Sequence, residues 1–121
     1  ALVARVREAF RGVGPIVVVV TDHCTEEEVL EVSGGEVLLR GCVGGCGKAR
    51  LTLPGIRVTG GSLRLDNLEL YASEENRVRA GKLSCTGCFI TARNGCGVLC
   101  LQGASVFLTG CELAHCMRSG V

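Results

Sequence analysis

Residues 56–70 read IRVTGGSLRLDNLEL, and three short alternations in that stretch decide the fold. Ile56-x-Val58, Leu63-x-Leu65 and Leu68-x-Leu70 each place apolar side chains at every second position, the period of a strand with one face in and one face out. Only Asn67 separates the last two runs. Asn and Gly adopt positive φ most easily, so a one-residue left-handed bend there turns the chain and keeps both runs on one interior. We call the three strands opening, middle and closing.

The same frame recurs on either side. Before it come Leu30, Val32, Val37, Leu39, Gly41 and Cys42. After it come Val78, Ala80, Leu83, Cys85, Gly87 and Cys88, then Val98, Cys100, Val106, Leu108, Gly110 and Cys111. The first two rows match at an offset of 26, later rows begin 22 and 20 residues on, and Val121 opens another after 23. Self-similarity at such a period marks a solenoid, in which each repeat buries its apolar face only against its neighbours. With three strands per rung the expected fold is all-β, a right-handed parallel β-helix of about four rungs. Gly41, Asn67, Gly87 and Gly110 are expected to stack as positive-φ or tight bends. In this frame the step from closing to next opening strand is constant, with Leu68 to Val78, Cys88 to Val98 and Cys111 to Val121 each 10, and the turn between opening and middle strands varies. An antiparallel sandwich is the alternative, but it does not require left-handed residues in one column.

The ends differ in character. Leu2, Val3, Val6, Ala9 and Phe10 have helical spacing with charges between them, and Gly12, Gly14 and Pro15 stop the pattern. Residues 1–28 are therefore expected to form an N-terminal cap, a helix followed by the strand Ile16–Val20, over rungs spanning 29–121. Gly120-Val121 resembles Gly97-Val98, the opening of a further rung, so continuing chain or a partner is expected to cover that edge. The Gly44–Lys48 run reads as an insertion between rungs one and two.

Composition narrows the function classes. Hydrophobic residues make up 47% of the 121, yet aromatics only 3%, which suits a narrow bore stacked with Val, Leu, Ile, Ala and Cys. A net charge of +1 gives no electrostatic case for nucleic acid or a membrane surface, and the Ile16–Val20 run is too short to span a bilayer. Nine cysteines raise the question of a metal or disulfides. Cys85-x-x-Cys88 followed by Cys96-x-x-x-Cys100 superficially has the spacing of a four-thiolate zinc site. However, Cys42, Cys85, Cys88, Cys100 and Cys111 share columns with Leu and Val, so they read as small buried hydrophobes without metal. Cys88 and Cys111 fall on successive rungs at bridging distance. The odd count nevertheless favours free thiols in a reducing intracellular compartment, cytoplasm or organelle matrix.

With these features in hand, the chain resembles the pectin-lyase-like superfamily, and more narrowly the carbohydrate-binding/sugar-hydrolase and F-box types of β-helix domain. The resemblance rests on an E-x-x-L-x-V segment from Glu27 to Val32, V-x-L-x-G from Val37 to Gly41, and GVLCLQGASVFLTGCELAHCMRSGV at 97–121. It implies the parallel β-helix. It leaves function open between polysaccharide-active enzymes and non-catalytic binding scaffolds.

The outward columns bear on that choice. Sugar-cleaving β-helices use paired carboxylates or an acidic calcium cluster. The opening strands present Glu31, Arg57, Arg79 and Leu99. The middle strands present Leu38, Arg64, Ser84 and Phe107, with Arg40, Asp66, Thr86 and Thr109 alongside. The closing strands present Val43, Glu69, Phe89 and Glu112, then Tyr71, Thr91 and Ala114. No stacked pair of acids appears in these columns, and His23 and His115 lie in different turns. We therefore expect a non-catalytic scaffold or protein-interaction module, a subunit of a larger assembly, without catalytic, cofactor or metal residues. Its expected partner surface is Leu38, Phe89, Leu99, Phe107 and Val121. The alternative is a carbohydrate-binding or polysaccharide-active β-helix whose catalytic rungs lie outside this chain.

Overall fold

A computed structural model describes residues 15–44, 47–74, 76–93, 98–101 and 103–113. The described chain is a parallel β-solenoid of about four turns. Its fourteen strands, in chain order, are β1 Ile16–Val20, β2 Cys24–Thr25, β3 Leu30–Val32, β4 Glu36–Gly41, β5 Ala49–Leu53, β6 Ile56–Val58, β7 Ser62–Asp66, β8 Leu68–Ala72, β9 Arg77–Val78, β10 Gly81–Thr86, β11 Phe89–Ala92, β12 Leu99–Cys100, β13 Ala104–Thr109 and β14 Glu112–Leu113. Every third strand joins the same sheet. The middle sheet runs β1-β4-β7-β10-β13, the closing sheet β2-β5-β8-β11-β14 and the opening sheet β3-β6-β9-β12. All pairings between these strands are parallel.

Burial follows the alternation. Inward residues Leu39, Leu51, Ile56, Leu63, Leu65, Leu68, Leu70, Leu83 and Ile90 are fully buried, while their neighbours along each strand face out. Each such side chain contributes about 1.5–3 kcal/mol of burial free energy, so stacked columns of aliphatics hold the coil together without an aromatic core. Among the described residues there is no helix. The helix expected over residues 2–10 lies outside them, as does Val121. Ile16–Val20, expected as part of the cap, pairs in register with β4 as the end strand of the middle sheet, Ile16 opposite Val37 and Val20 opposite Gly41.

Three local expectations are corrected. First, the opening strand of the third rung is shifted by two residues. Val78, not Ala80, pairs with Val58, and Arg77 pairs with Arg57. Asn76 thereby takes the interior place beside Ile56. It is buried, and its Oδ1 accepts the Ile56 N–H at 3.1 Å, so a polar residue stands in an apolar column with its hydrogen-bonding need met. The shift also reverses which turn is the more constant. The step is now seven from Leu30 to Val37, Ile56 to Leu63 and Asn76 to Leu83, and eight from Val98 to Val106, while the step from closing to opening strand varies more widely.

Second, the closing strand of the first rung is Ala49–Leu53, with Ala49 opposite Leu68. Cys42 and Val43 therefore do not occupy that strand. The connection from β4 to β5 lies inside the first rung, and its described residues Val43 and Gly47 form an antiparallel bridge in which each amide donates to the other's carbonyl, at 2.9 and 2.7 Å.

Third, the left-handed column holds Asn67, Gly87 and Gly110, with φ of 55°, 61° and 61°, but not Gly41. In the first rung the positive φ falls on Gly44, inside the β4–β5 connection. Gly41 is needed for another reason: a Cβ there would collide with the Asn67 carbonyl oxygen. A second left-handed column appears where the chain enters the middle sheet, at Gly35, Gly61 and Gly81, with φ of 74°, 73° and 84°.

Candidate partner-binding face

The middle sheet has five strands of five or six residues each, and its outer face is built from three columns. One runs Val17, Leu38, Arg64, Ser84, Phe107. Beside it run Val19, Arg40, Asp66, Thr86, Thr109 and, on the other flank, Glu36, Ser62, Lys82, Ser105. Alternation forces these side chains outward, because Val37, Leu39, Leu63, Leu65, Leu83 and Cys85 between them fill the bore. Val17 is 63% exposed, Val19 48% and Phe107 54%, while Leu38 is half-buried. A depression of about 560 Å³ lies across this face, bordered by Val17, Leu38 and Phe107 and floored in part by Ser62 and Ser84.

Charge is organised around the apolar positions. Asp66 accepts from Arg64 at 3.3 Å and faces Arg40 at 3.8 Å. The Lys82 ammonium lies 4.9 Å from the centroid of the Phe107 ring, a cation–π geometry. The face thus carries Arg40, Arg64 and Lys82 against Glu36 and Asp66.

The residues expected to meet a partner do not share one surface. Leu38 and Phe107 stand in the same column. Phe89 lies on the closing sheet, half-buried, its ring 5.8 Å from that of Tyr71. Leu99 lies on the opening sheet beside Arg77. The corrected registers also change two columns: the opening sheet presents Glu31, Arg57, Arg77 and Leu99, and the closing sheet presents Arg50, Glu69, Phe89 and Glu112. Arg50 then pairs with Glu69 at 3.6 Å and lies over the Tyr71 ring at 5.3 Å, and Arg57 pairs with Glu31 at 3.7 Å. Val17 and Val19 escape a reading of the sequence that treats Ile16–Val20 as part of a cap. The signal is there in the five-residue Val-rich run, half of which must face outward in any strand with one covered side.

The thiols are less uniformly buried than their columns imply. Cys85 and Cys88 are buried, whereas Cys24, Cys42, Cys100 and Cys111 are half-buried, and all six are free. Cys85 and Cys88 flank the Gly87 bend and share a hydrogen bond. That bond holds Cys88 down at about 7, against the opposing effect of burial. The same bond, with burial added, pushes the Cys85 thiol well above the ordinary thiol range. Among the described residues, no three His, Cys, Asp or Glu side chains gather as a metal site. His23 Nδ1 accepts the Arg50 backbone N–H at 2.9 Å, so that ring nitrogen is engaged in joining two rungs. No described helix is long and apolar enough to cross a membrane.

By its fold the protein is a parallel β-solenoid. No protein-family model, no curated protein and no solved structure matches the chain.

Proposed function

We propose that this solenoid is a non-catalytic scaffold module that binds another protein across the outer face of its middle sheet. The observation that carries the reading is the juxtaposition of exposed Val17, Val19 and Phe107 with Leu38 on one five-stranded face. Aromatic anchors in apolar surroundings contribute disproportionately to protein interfaces. The surplus of Arg40, Arg64 and Lys82 over Glu36 and Asp66 favours a partner segment that pairs apolar side chains with carboxylates.

The non-catalytic part of the proposal is supported by how the outward acids are used. Glu31, Asp66 and Glu69 each face an arginine across the sheet, so they are held as ion pairs rather than as two facing carboxylates around a bond to be cleaved. Right-handed coiling is part of the same proposal, because parallel crossover connections are right-handed in nearly all sheets. A relation to the pectin-lyase-like β-helices and a reducing compartment for the free thiols also belong to it.

A photo-crosslinking residue at Ser84, in the centre of the face, identifies the neighbour, and binding is then measured with the purified partner. Phe107→Ala should weaken it by about 30-fold or more, the scale of a 2 kcal/mol hot spot. Arg57→Ala, on the opening sheet, should leave it unchanged. Equal loss from both variants, or none from Phe107→Ala, overturns the assignment. Turnover or saturable binding of a polysaccharide would replace it with the carbohydrate-active alternative.

A further inference from the structure

We infer that Cys88 and Cys111 are a redox modification site, oxidised by a hydroperoxide to a disulfide that staples two successive rungs. Three features of the fold converge on this pair. Phe89 is in register with Glu112, so Cys88 and Cys111, each one residue earlier, stand side by side on neighbouring rungs. Each follows a glycine in the same left-handed bend, Gly87 and Gly110, both with φ of 61°. The two bends therefore deliver their cysteines in matching orientation. Parallel strands lie about 4.8 Å apart, inside the roughly 4.4–6.8 Å Cα separation that a disulfide spans. Each thiol leaves its bend in the same way: Cys88 Sγ is 3.5 Å from the Thr86 carbonyl and Cys111 Sγ is 3.5 Å from the Thr109 carbonyl, in each case the carbonyl two residues back.

Burial assigns the order of events. Cys111 is half-buried and Cys88 is buried, so the oxidant reaches Cys111 first. The Cys111 thiolate attacks the peroxide oxygen; an S–O bond forms, the O–O bond breaks, and the departing hydroxide takes a proton to leave as water. Cys88, as thiolate, then attacks the Cys111 sulfenic sulfur. The S–S bond forms, the S–O bond breaks, and the second hydroxide takes up the proton that Cys88 released. Two thiols and one hydrogen peroxide become one disulfide and two waters. Cys85 has a supporting part. Its thiol stays protonated and hydrogen-bonded to the Cys88 sulfur, stabilising the attacking thiolate. With its own sulfur buried, it is not the site of first oxidation. A disulfide here joins the bend between β10 and β11 to the bend between β13 and β14.

The test is hydrogen peroxide added to the reduced full chain, followed by thiol blocking, proteolysis and mass spectrometry with fragmentation to the residue. The expected product is a Cys88–Cys111 crosslink, 2 Da lighter than the two thiols and reversed by dithiothreitol. In Cys88→Ser, Cys111 should instead be trapped as a sulfenic acid by dimedone. Slower hydrogen exchange of the β13 amides in the oxidised wild-type chain is a readout that needs no variant. A bond from Cys88 to Cys85, a bond from Cys111 to any other cysteine, or both thiols still free after other cysteines have reacted overturns the inference.

Discussion

Gly81→Ala and Gly87→Ala differ by six positions in one rung, yet they should differ sharply in stability. Both glycines have positive φ, 84° and 61°, so both alanines incur the left-handed cost of about 1–2 kcal/mol. The surroundings differ. A Cβ at Gly87 meets nothing within 4 Å. A Cβ at Gly81 would lie 2.5 Å from the Gly61 carbonyl oxygen, 2.9 Å from the Gly60 carbonyl carbon and 3.0 Å from the Gly61 nitrogen. All three are backbone atoms of the rung below, and moving them disturbs a shared hydrogen-bond ladder in which the Lys82 amide donates to the Gly61 carbonyl at 2.9 Å. Overpacking of that kind adds about 1–3 kcal/mol. Gly87→Ala should therefore cost about 1–2 kcal/mol and Gly81→Ala about 2–5 kcal/mol. Urea unfolding followed by circular dichroism reads the difference. With a slope of about 1–2 kcal/mol per molar urea, the two midpoints should separate by roughly 1 M at unchanged slope. Gly87→Asn should be milder than Gly87→Ala, because Asn67 already occupies that column at φ 55°. Equal midpoints for the two alanines would show that inter-rung contact does not distinguish the columns.

Other consequences are equally direct. Asn76→Ala should lower stability by about 1–3 kcal/mol, since it leaves the Ile56 amide without its acceptor in the bore; a neutral result in urea unfolding would contradict the register drawn for β9. Phe107→Ala, at a half-exposed position, should lower stability little, about 0.5 kcal/mol or less, while weakening partner binding at the middle-sheet face by about 30-fold or more. The thiol pair predicts a pH profile. Cys88 is lowered from 9.0 to about 7, so between those values the unfolded chain binds more protons and stability rises with pH. Cys85 is raised, so above about 9 the folded chain holds the extra proton and stability falls again. Urea midpoints measured from pH 6 to 10 should show this maximum in the reduced wild type and lose its rising limb in Cys88→Ser.

Alternation and bend residues are local properties, and they determined most of the architecture. Ile56-x-Val58, Leu63-x-Leu65 and Leu68-x-Leu70 specify strands and inward faces without knowledge of any neighbour, and Asn67, Gly87 and Gly110 mark the bend because few other residues accept its φ. That is why three strands per rung and a stack of about four turns are legible in the residues alone. Register is another matter. Inward faces repeat every two residues, so sliding the third opening strand by two leaves its alternation intact. The alignment adopted is the one in which Asn76 accepts the Ile56 amide, and that bond joins residues twenty apart. The first closing strand was hidden in the same way, because Gly41-Cys42 imitates Gly87-Cys88 while the true strand begins after the β4–β5 connection, at Ala49. Which left-handed column tolerates a side chain was also unreadable, since it depends on how closely Gly61 approaches Gly81 across rungs. The candidate face followed suit. Outward direction was clear for Leu38, Phe89, Leu99 and Phe107, but a three-sided coil sends outward residues to three different surfaces. The repeat frame already put Leu38 and Phe107 in one column, while only the tertiary pairing added Val17, from a strand sixty residues and more away from Ser84 and Phe107 in sequence.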